Sequence, residues 1–275
     1  MEPIKIVADS AADLTALDGV DFAFAPLKIV TAEREFVDTA ALDVREMTDF
    51  LARYKGRSST ACPNVDDWLA AFGEAEAVIA ITITGGLSGS YNAALTAKQV
   101  YEERHPDRRV HVMDSLSAGP EITLHIERMR EMILAGRTFD EIVSSFSDYK
   151  TELLFVLESL HNFANNGRVS RAAAAAAGVL GIRALGRASA EGTLELLAKP
   201  RGEAKSLAAV LANMEKYGCQ GGQVLISHCF AADTAERLAE KIRTAYPTAT
   251  VRTHPCRGLC SFYAEQGGLL IGYEV

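Results

Sequence analysis

Short apolar stretches alternate with amphipathic stretches along nearly the whole chain. The apolar stretches have strand length, while the others repeat apolar residues at helical spacing. Strands that alternate with helices form parallel sheets covered by helices, so we predict an α/β fold. The predicted strands and apolar runs cover residues 4–9, 22–30, 77–82, 109–114, 153–158, 182–188, 193–199, 223–228, 250–254 and 269–273. The predicted helices cover residues 44–54, 66–72, 90–103, 171–180, 204–216 and 234–245.

Two α/β lobes are expected. The turn formers Asn165-Asn166-Gly167 interrupt the chain after the strand at 153–158, and we place the boundary near Glu158. The N-terminal lobe, residues 1–158, is predicted to contain a mainly parallel sheet, and the C-terminal lobe, residues 159–275, a mixed sheet. A ligand cleft or tunnel is expected between the lobes.

A separate helix is predicted to begin at Thr138. Thr138 and Glu141 form a capping box, in which each side chain satisfies a free amide of the first turn. This pattern marks the start of a helix independently of its hydrophobic periodicity.

Three predicted strands end in polar or small residues. In open α/β sheets the carboxyl ends of the strands face the ligand crevice. We therefore expect the site to lie at these three strand ends, which are Asp9-Ser10, Thr84-Gly85-Gly86 and Asp114-Ser115.

The segment from residue 81 to residue 94 is a strand, a glycine-rich turn and a helix start. Gly85, Gly86 and Gly89 allow a ligand to approach the backbone, while Ser88 and Ser90 and the first helical amides offer hydrogen-bond donors. This combination favours an anion site. The alternative is that one of the serines simply caps the helix.

Two further polar positions fit the same anion. Thr60 lies in a polar turn that precedes a helix, and His254 ends a strand of the C-terminal lobe. A hydroxyl, a helix N-terminus and an imidazole that converge would satisfy both oxygens of one carboxylate. The alternative for His254 is a histidine with no ligand.

Composition excludes several classes of protein. The chain has 275 residues, 48% of them hydrophobic, and a formal net charge of −8, so no general positive field attracts nucleic acid. Its first ten residues do not resemble a signal peptide. The alanine-rich run near residues 172–180 is too short and too weakly apolar to span a bilayer. We expect a cytoplasmic protein without a transmembrane segment and without a nucleic-acid partner.

The cysteines agree with a reducing compartment. Their odd number and the lack of a C-x-x-C pair favour free thiols. His254, Cys256 and Cys260 lie close in sequence but lack the spacing of a structural zinc site, so no metal is expected. The five cysteines are Cys62, Cys219, Cys229, Cys256 and Cys260.

Enzymatic alternatives are weaker. Ser88, Asp114 and His254 follow the chain order of an α/β-hydrolase triad, but residues 86–90 lack the last glycine of G-x-S-x-G. The nucleotide motifs G-x-x-x-x-G-K-[ST] and G-x-G-x-x-G are both absent. A serine hydrolase that uses these three residues therefore remains the alternative to a binding protein, and no cofactor is expected.

Six ordered motifs resemble those of DegV proteins, the bacterial fatty-acid-binding subunits of fatty acid kinase. The family patterns are D-S-x-x-D-L, T-S-Q-P-S, L-S-G-T-Y, D-S, G-G-R-I-S and T-H-x-G-P-G. The matching segments are residues 9–14, 60–64, 87–91, 114–115, 167–170 and 253–258. The resemblance extends over nearly the whole chain.

This resemblance implies a lipid carrier without an ATP site or catalytic residues of its own. It implies that the carrier buries a long-chain acyl tail and presents the carboxylate to a separate ATP-dependent kinase subunit, which makes an acyl phosphate for phospholipid synthesis. Thr60, Ser88, Gly89 and His254 are implied to bind the carboxylate. Arg168 is implied to lie near the site or the kinase interface, with a structural salt bridge or helix cap as its alternative.

The chain departs from the family pattern at three places. Ala61 and Cys62 replace Ser-Gln, Gly85 and Gly86 replace a serine pair, and residues 255–257 disrupt the glycine-rich turn after His254. These departures change the hydroxyls and the bulk around the expected site.

Overall fold

A four-stranded parallel sheet forms the first structural unit of the computed structural model, which describes residues 3–170 and 181–275. Its strands are β1 (Ile4–Asp9), β2 (Asp21–Ala25), β6 (Ala77–Thr82) and β7 (Arg109–Asp114). Their order in the sheet is β2-β1-β6-β7. The helices are α2 (Val65–Phe72), α3 (Ser90–Arg104), α4 (Pro120–Leu134) and α5 (Phe139–Ser145).

Both faces of this sheet are buried. Along β6, Val78 and Ala80 pack against α2 and α3, whereas Ile79 and Ile81 pack toward α4 and α5. Burial on both faces is typical of parallel sheets.

A six-stranded mixed sheet forms the second unit, with the order β10-β9-β8-β13-β11-β12. Its pairs are antiparallel except for β11 and β12, which are parallel. The strands are β8 (Thr151–Leu157), β9 (Ala184–Ala188), β10 (Leu194–Ala198), β11 (Gln223–His228), β12 (Thr250–Pro255) and β13 (Leu269–Glu274). The helices are α6 (His161–Asn165), α7 (Glu203–Lys216) and α8 (Ala232–Ala245). Helices α7 and α8 pack on the outer face of this sheet.

A small antiparallel sheet of three strands in the order β4-β3-β5 joins the two units. Its core residues Ile29 and Phe36 pack with Met47 and with Phe262 from the C-terminal end of the chain. The elements are β3 (Lys28–Val30), β4 (Glu35–Val37), β5 (Ser59–Ala61), α1 (Val44–Arg53) and α9 (Gly258–Ala264).

Helix α4 lies between the two large sheets. It contacts β1 and β6 on one side and β8, β11 and β13 on the other. The strand β13 passes close beneath it, because a side chain at Gly272 would come within 3.0 Å of the Pro120 and Glu121 backbone. The first half of α4 is therefore buried on all sides.

The structure confirms the α/β fold, with a parallel sheet in the N-terminal part and a mixed sheet in the C-terminal part. The capping box is also present, since Thr138 and Glu141 exchange their hydrogen bonds at the start of α5. The predicted helix at 171–180 lies outside the described residues. Within residues 3–170 and 181–275, every helix is too short or too polar to cross a bilayer.

The sheets divide the chain earlier than the predicted boundary at Glu158. Strand β8 pairs with β13 and β9, so the mixed sheet already begins at Thr151. The final helix α9 also packs against the N-terminal part of the chain. The division into domains 1–158 and 159–275 stays a prediction.

Candidate functional site

An apolar cavity of about 290 Å³ lies between the two large sheets. This volume is close to the lower end of typical small-molecule sites, roughly 300 Å³ and upward. Its polar side chains include Thr60, Ser88 and Arg168. The apolar lining residues are Leu27, Ala61, Ile83, Leu87, Ala118, Leu153, Phe155, Leu157, Phe163, Leu194, Leu259, Ala264 and Leu270.

Strand β8 supplies one wall of the cavity. Leu153, Phe155 and Leu157 line it, whereas Leu154 and Val156 point to the opposite face and pack under α7 and α8. Successive side chains of a strand point to opposite faces. One face of β8 therefore packs in the hydrophobic core under α7 and α8, and the other face lines the cavity. The wall is therefore a regular row of large apolar side chains.

The glycine-rich turn forms a polar part of the cavity. Ser88 and Gly89 line it, and Gly89 is the N-cap of α3. As a glycine, this N-cap residue makes no side-chain hydrogen bond of its own. The Ser88 hydroxyl accepts a hydrogen bond from the Ser90 amide at 3.3 Å, which leaves its own proton available. The partial positive charge of a 15-residue helix is thus directed at the cavity.

The Asp9 carboxylate anchors this turn through hydrogen bonds. Its carboxylate accepts the Ser90 hydroxyl at 2.6 Å and the Ile83 amide at 2.9 Å. Burial raises the pKa of Asp9 to about 6, against the effect of these donors. Ser90 therefore acts on the turn through Asp9, whereas Ser88 faces the cavity.

Two of the three polar strand ends serve the backbone rather than the cavity lining. Asp9 binds the turn, and Asp114 accepts the Gly85 amide at 3.1 Å and the Leu116 amide at 3.0 Å. Neither residue is among those that line the cavity. None of the residues named for the three strand ends lines the cavity. The chain after β6 instead contributes Ile83, Leu87, Ser88 and Gly89 to the lining.

Thr60 approaches the cavity from β5. Its hydroxyl lies 2.8 Å from the Tyr263 hydroxyl of α9, and both residues line the cavity. If Tyr263 donates in this pair, the Thr60 proton remains free for a ligand. Tyr263 also stacks on Phe163, with ring centroids 4.5 Å apart, so Thr60 is held by a rigid aromatic pair.

Arg168 reaches the glycine-rich turn from the C-terminal half. Its Nε donates to the Leu87 carbonyl at 3.2 Å, and its Nη1 donates to the Asn166 carbonyl. The guanidinium therefore fixes the turn and also places a positive charge at the cavity. The bond to Asn166, the C-cap residue of α6, also caps that helix, so the structural alternative for Arg168 applies beside its place at the cavity.

His254 lies outside the lining of this cavity. It sits on β12, where its Nε2 is 2.8 Å from the Ser227 hydroxyl on the neighbouring strand. Burial lowers the pKa of His254 to about 4, so the imidazole is neutral near pH 7. The structure brings Thr60, Ser88, Gly89 and Arg168 together on one cavity. A role for His254 in carboxylate binding stays a prediction.

The hydrolase alternative lacks its geometry. Ser88 contacts the Ser90 amide, Asp114 accepts backbone amides, and His254 pairs with Ser227. A triad needs the base within hydrogen-bond reach of both the nucleophile and the orienting acid. These three side chains therefore do not form one. Nor does the described part of the chain contain a cluster of three or more His, Cys, Asp or Glu side chains suited to a metal ion.

The tip of the β9-β10 hairpin covers the glycine-rich turn. The Thr84 hydroxyl donates to the Gly192 carbonyl at 2.8 Å. Gly192 has a φ of +70°, and a side chain there would come within 2.1 Å of the Thr84 oxygen. Glycine is therefore required at this contact. Leu194 continues from the tip into the cavity lining.

Sequence reasoning missed Tyr263 and the cavity wall on β8. The run 153–157 is entirely apolar, so it signals burial on both faces but does not show that one face borders a cavity. Tyr263 belongs to a short helix that the hydrophobic pattern did not predict. Hydrophobic patterning therefore indicates neither the β8 wall nor the position of Tyr263 strongly.

Comparison with known proteins gives one consistent answer. A model of the DegV family, described as uncharacterised, matches residues 3–274. A DegV domain-containing protein of Streptococcus pneumoniae is 43% identical over 277 residues, which cover 98% of this chain and 99% of the relative.

Two solved structures superpose closely. A DegV family protein from Eubacterium eligens, loaded with heptadecanoic acid, has a TM-score of 0.97 and 44% identity, with 99% of each chain covered. The Streptococcus pneumoniae Fatty Acid Kinase (Fak) B3 protein, loaded with linoleic acid, has a TM-score of 0.97 and 43% identity, with 100% of each chain covered. Family model, sequence and structure agree along the chain, which therefore belongs to the DegV family.

Proposed function

We propose that the cavity binds one long-chain fatty acid, with the acyl tail along the β8 wall and the carboxylate at the glycine-rich turn. The observation that carries this proposal is the combination of an apolar cavity with the N-terminus of α3, where Ser88 and the N-cap Gly89 line the cavity. An apolar lining alone would suit any hydrophobic ligand. The helix end selects a ligand that also carries a negative charge.

The tail supplies the affinity in this proposal. Some 15 buried methylenes at about 0.8 kcal/mol each give on the order of 12 kcal/mol before the costs of ordering are subtracted. Leu153, Phe155 and Leu157 offer the apolar surface that this burial needs.

The polar groups supply the orientation. The Ser88 hydroxyl and the Gly89 amide suit one carboxylate oxygen, and Thr60 suits the other. Arg168 lowers the electrostatic cost of the charge, because an unpaired buried carboxylate would cost several kcal/mol. Relatives that are 43–44% identical hold heptadecanoic acid and linoleic acid, which supports this class of ligand.

We further propose that the chain is a carrier that presents the carboxylate to a separate ATP-dependent kinase subunit in the cytoplasm. The sequence has no nucleotide-binding motif of the P-loop or Rossmann type, so ATP must be bound elsewhere. The relative from Streptococcus pneumoniae is called a fatty acid kinase B3 protein, which agrees with this division of labour.

Binding is tested by native mass spectrometry of delipidated protein mixed with palmitate. We expect one added acyl mass and a tight complex. Ser88→Ala should weaken palmitate binding about tenfold to a hundredfold, because hydrogen bonds to charged groups contribute about 1.5–3 kcal/mol. Ser144→Ala on the exposed side of α5 is the matched control and should not change the affinity. Protein that remains free of palmitate would overturn the proposal.

His254→Ala tests the remaining residue predicted from the sequence. An affinity for palmitate that stays within about twofold would show that the imidazole, which pairs with Ser227 and does not line the cavity, takes no part in binding. A loss as large as that of Ser88→Ala would instead place the imidazole at the carboxylate.

The carrier role is tested with an added kinase subunit and ATP. Acyl phosphate should form when the loaded protein, the kinase and ATP are all present. ATP hydrolysis by the chain alone would contradict the division of labour, and so would a loaded protein that no such kinase can use.

A further inference from the structure

Gly186 lies beside the middle of the β8 wall. In the antiparallel register of β8 and β9, Phe155 pairs with Gly186. Directly paired residues point to the same face of a sheet. Phe155 lines the cavity, so a side chain at position 186 would face the cavity as well.

The ring of Phe155 occupies the place of that missing side chain. A Cβ atom on Gly186 would lie 2.2 Å from Phe155 Cζ and 2.6 Å from Cε2. The ring is thus laid across the neighbouring strand instead of standing up from the sheet. Phe155 is only 4% exposed, although it borders a cavity. The glycine therefore adds width to the middle of the cavity.

We propose that Gly186 is a positioning residue for acyl selectivity, which lets the Phe155 ring lie flat so that the cavity accepts a bent cis-unsaturated chain as well as a straight saturated one. This inference rests on the proposed function. A straight chain needs a narrow channel, whereas a cis double bond displaces the two halves of the chain sideways. A side chain at position 186 would turn the ring toward the ligand and narrow the channel where Phe155 stands between Leu153 and Leu157.

The alternative explanation is that Gly186 is required only for the packing of β9 against β10. The same Cβ atom would lie 2.5 Å from the Glu195 carbonyl oxygen of β10, so a side chain also presses on the next strand. Glycine in a strand interior often marks such a close approach. The two readings differ in one respect: pressure on β10 affects all ligands alike, whereas a raised Phe155 ring affects bent chains most.

Stearate and oleate separate the readings, because both have 18 carbons and differ in one cis double bond. Dissociation constants are measured by displacement of a fluorescent fatty acid from delipidated protein. Gly186→Ala should weaken oleate binding at least about tenfold more than stearate binding, which is the scale on which hydrophobic pockets discriminate single methylenes. The double variant Gly186→Ala/Phe155→Leu replaces the ring by a shorter side chain. It should restore the ratio of the oleate and stearate dissociation constants to within about twofold of that of the unsubstituted protein.

Leu154→Ala is the control for stability. Leu154 is the neighbour of Phe155 on the opposite face of β8 and is fully buried under α7 and α8. The Leu154→Ala substitution should lower the melting temperature without changing the ratio of the two dissociation constants. If Gly186→Ala does not fold, Phe155→Trp enlarges the ring over position 186 without adding a side chain to β9 and should cause the same selective loss.

An unchanged ratio in folded Gly186→Ala would overturn the inference. So would a changed ratio that the double variant does not restore, because the Phe155 ring would then not be its cause. Failure of the unsubstituted protein to bind either acid would count against the proposed function instead, so the two failures are distinguishable.

Discussion

A carboxyl group in the centre of the molecule gives a quantitative prediction for stability. Glu121 lies near the start of α4, between the two large sheets, and accepts hydrogen bonds from the Ser117 and Thr151 hydroxyls. Thr151 in turn lies 3.0 Å from Nε2 of His125. Burial raises the pKa of Glu121 from its usual value near 4.5 to about 7, although the two hydroxyls act against it.

The sign of the pH effect follows from this rise. The native state binds the proton of Glu121 more tightly than the unfolded state, so this group stabilises the fold most below pH 4.5. The stabilisation is lost as the pH rises toward 7. Each tenfold change in proton affinity corresponds to about 1.4 kcal/mol, so Glu121 alone should lower the free energy of unfolding by about 2 kcal/mol between pH 5 and pH 8.

Glu121→Gln removes this titration and keeps the shape of the side chain. Its amide can still bind both hydroxyls, because burial lowers the pKa of His125 to about 4 and leaves a neutral ring that can accept from Thr151. Between pH 5 and pH 8, the free energy of unfolding of the variant should therefore fall by about 2 kcal/mol less than that of the unsubstituted protein.

Urea unfolding followed by circular dichroism at several pH values measures this difference. Contributions from other titrating groups, including His125, cancel in the comparison of the two proteins. Glu131→Gln, on an exposed part of the same helix, should leave the pH dependence unchanged. Parallel pH profiles for Glu121→Gln and the unsubstituted protein would refute the reasoning.

Two further predictions concern the hairpin and a helix cap. Thr84→Val removes the hydrogen bond to Gly192 and should speed palmitate release roughly fivefold, because one such bond contributes about 1 kcal/mol; an unchanged release rate in stopped-flow dilution would show that the hairpin does not retain the ligand. Thr138→Ala removes the capping box of α5 and should cost about 1 kcal/mol of stability without changing palmitate affinity. A calorimetric scan with a parallel binding titration checks it, and a change in affinity would contradict the separation of α5 from the site.

Apolar runs of strand length that end in polar or small residues predict most of the buried strands. Strands β1, β6, β7 and β11 have the predicted bounds. Helix α4 escaped prediction because its buried first half alternates polar and apolar residues over 121–126, which does not have the period of a helix. Helix α9 escaped because it is short and lies against the N-terminal half of the chain.

The candidate site was predictable where one local segment forms it. The glycine-rich turn places Ser88 and Gly89 on the cavity because the strand, turn and helix follow one another in sequence. His254 depends instead on how the two sheets pack, and the structure gives it a partner on β11. Likewise, the width of the cavity at Phe155 depends on a register between β8 and β9 that local sequence does not encode.

The most direct test of the account is a crystal structure of the protein with palmitate. We expect the carboxylate within hydrogen-bond distance of the Ser88 hydroxyl and the Gly89 amide, and the tail along Leu153, Phe155 and Leu157. Palmitate in the reverse orientation, or bound outside the cavity between the two sheets, would contradict the central claim.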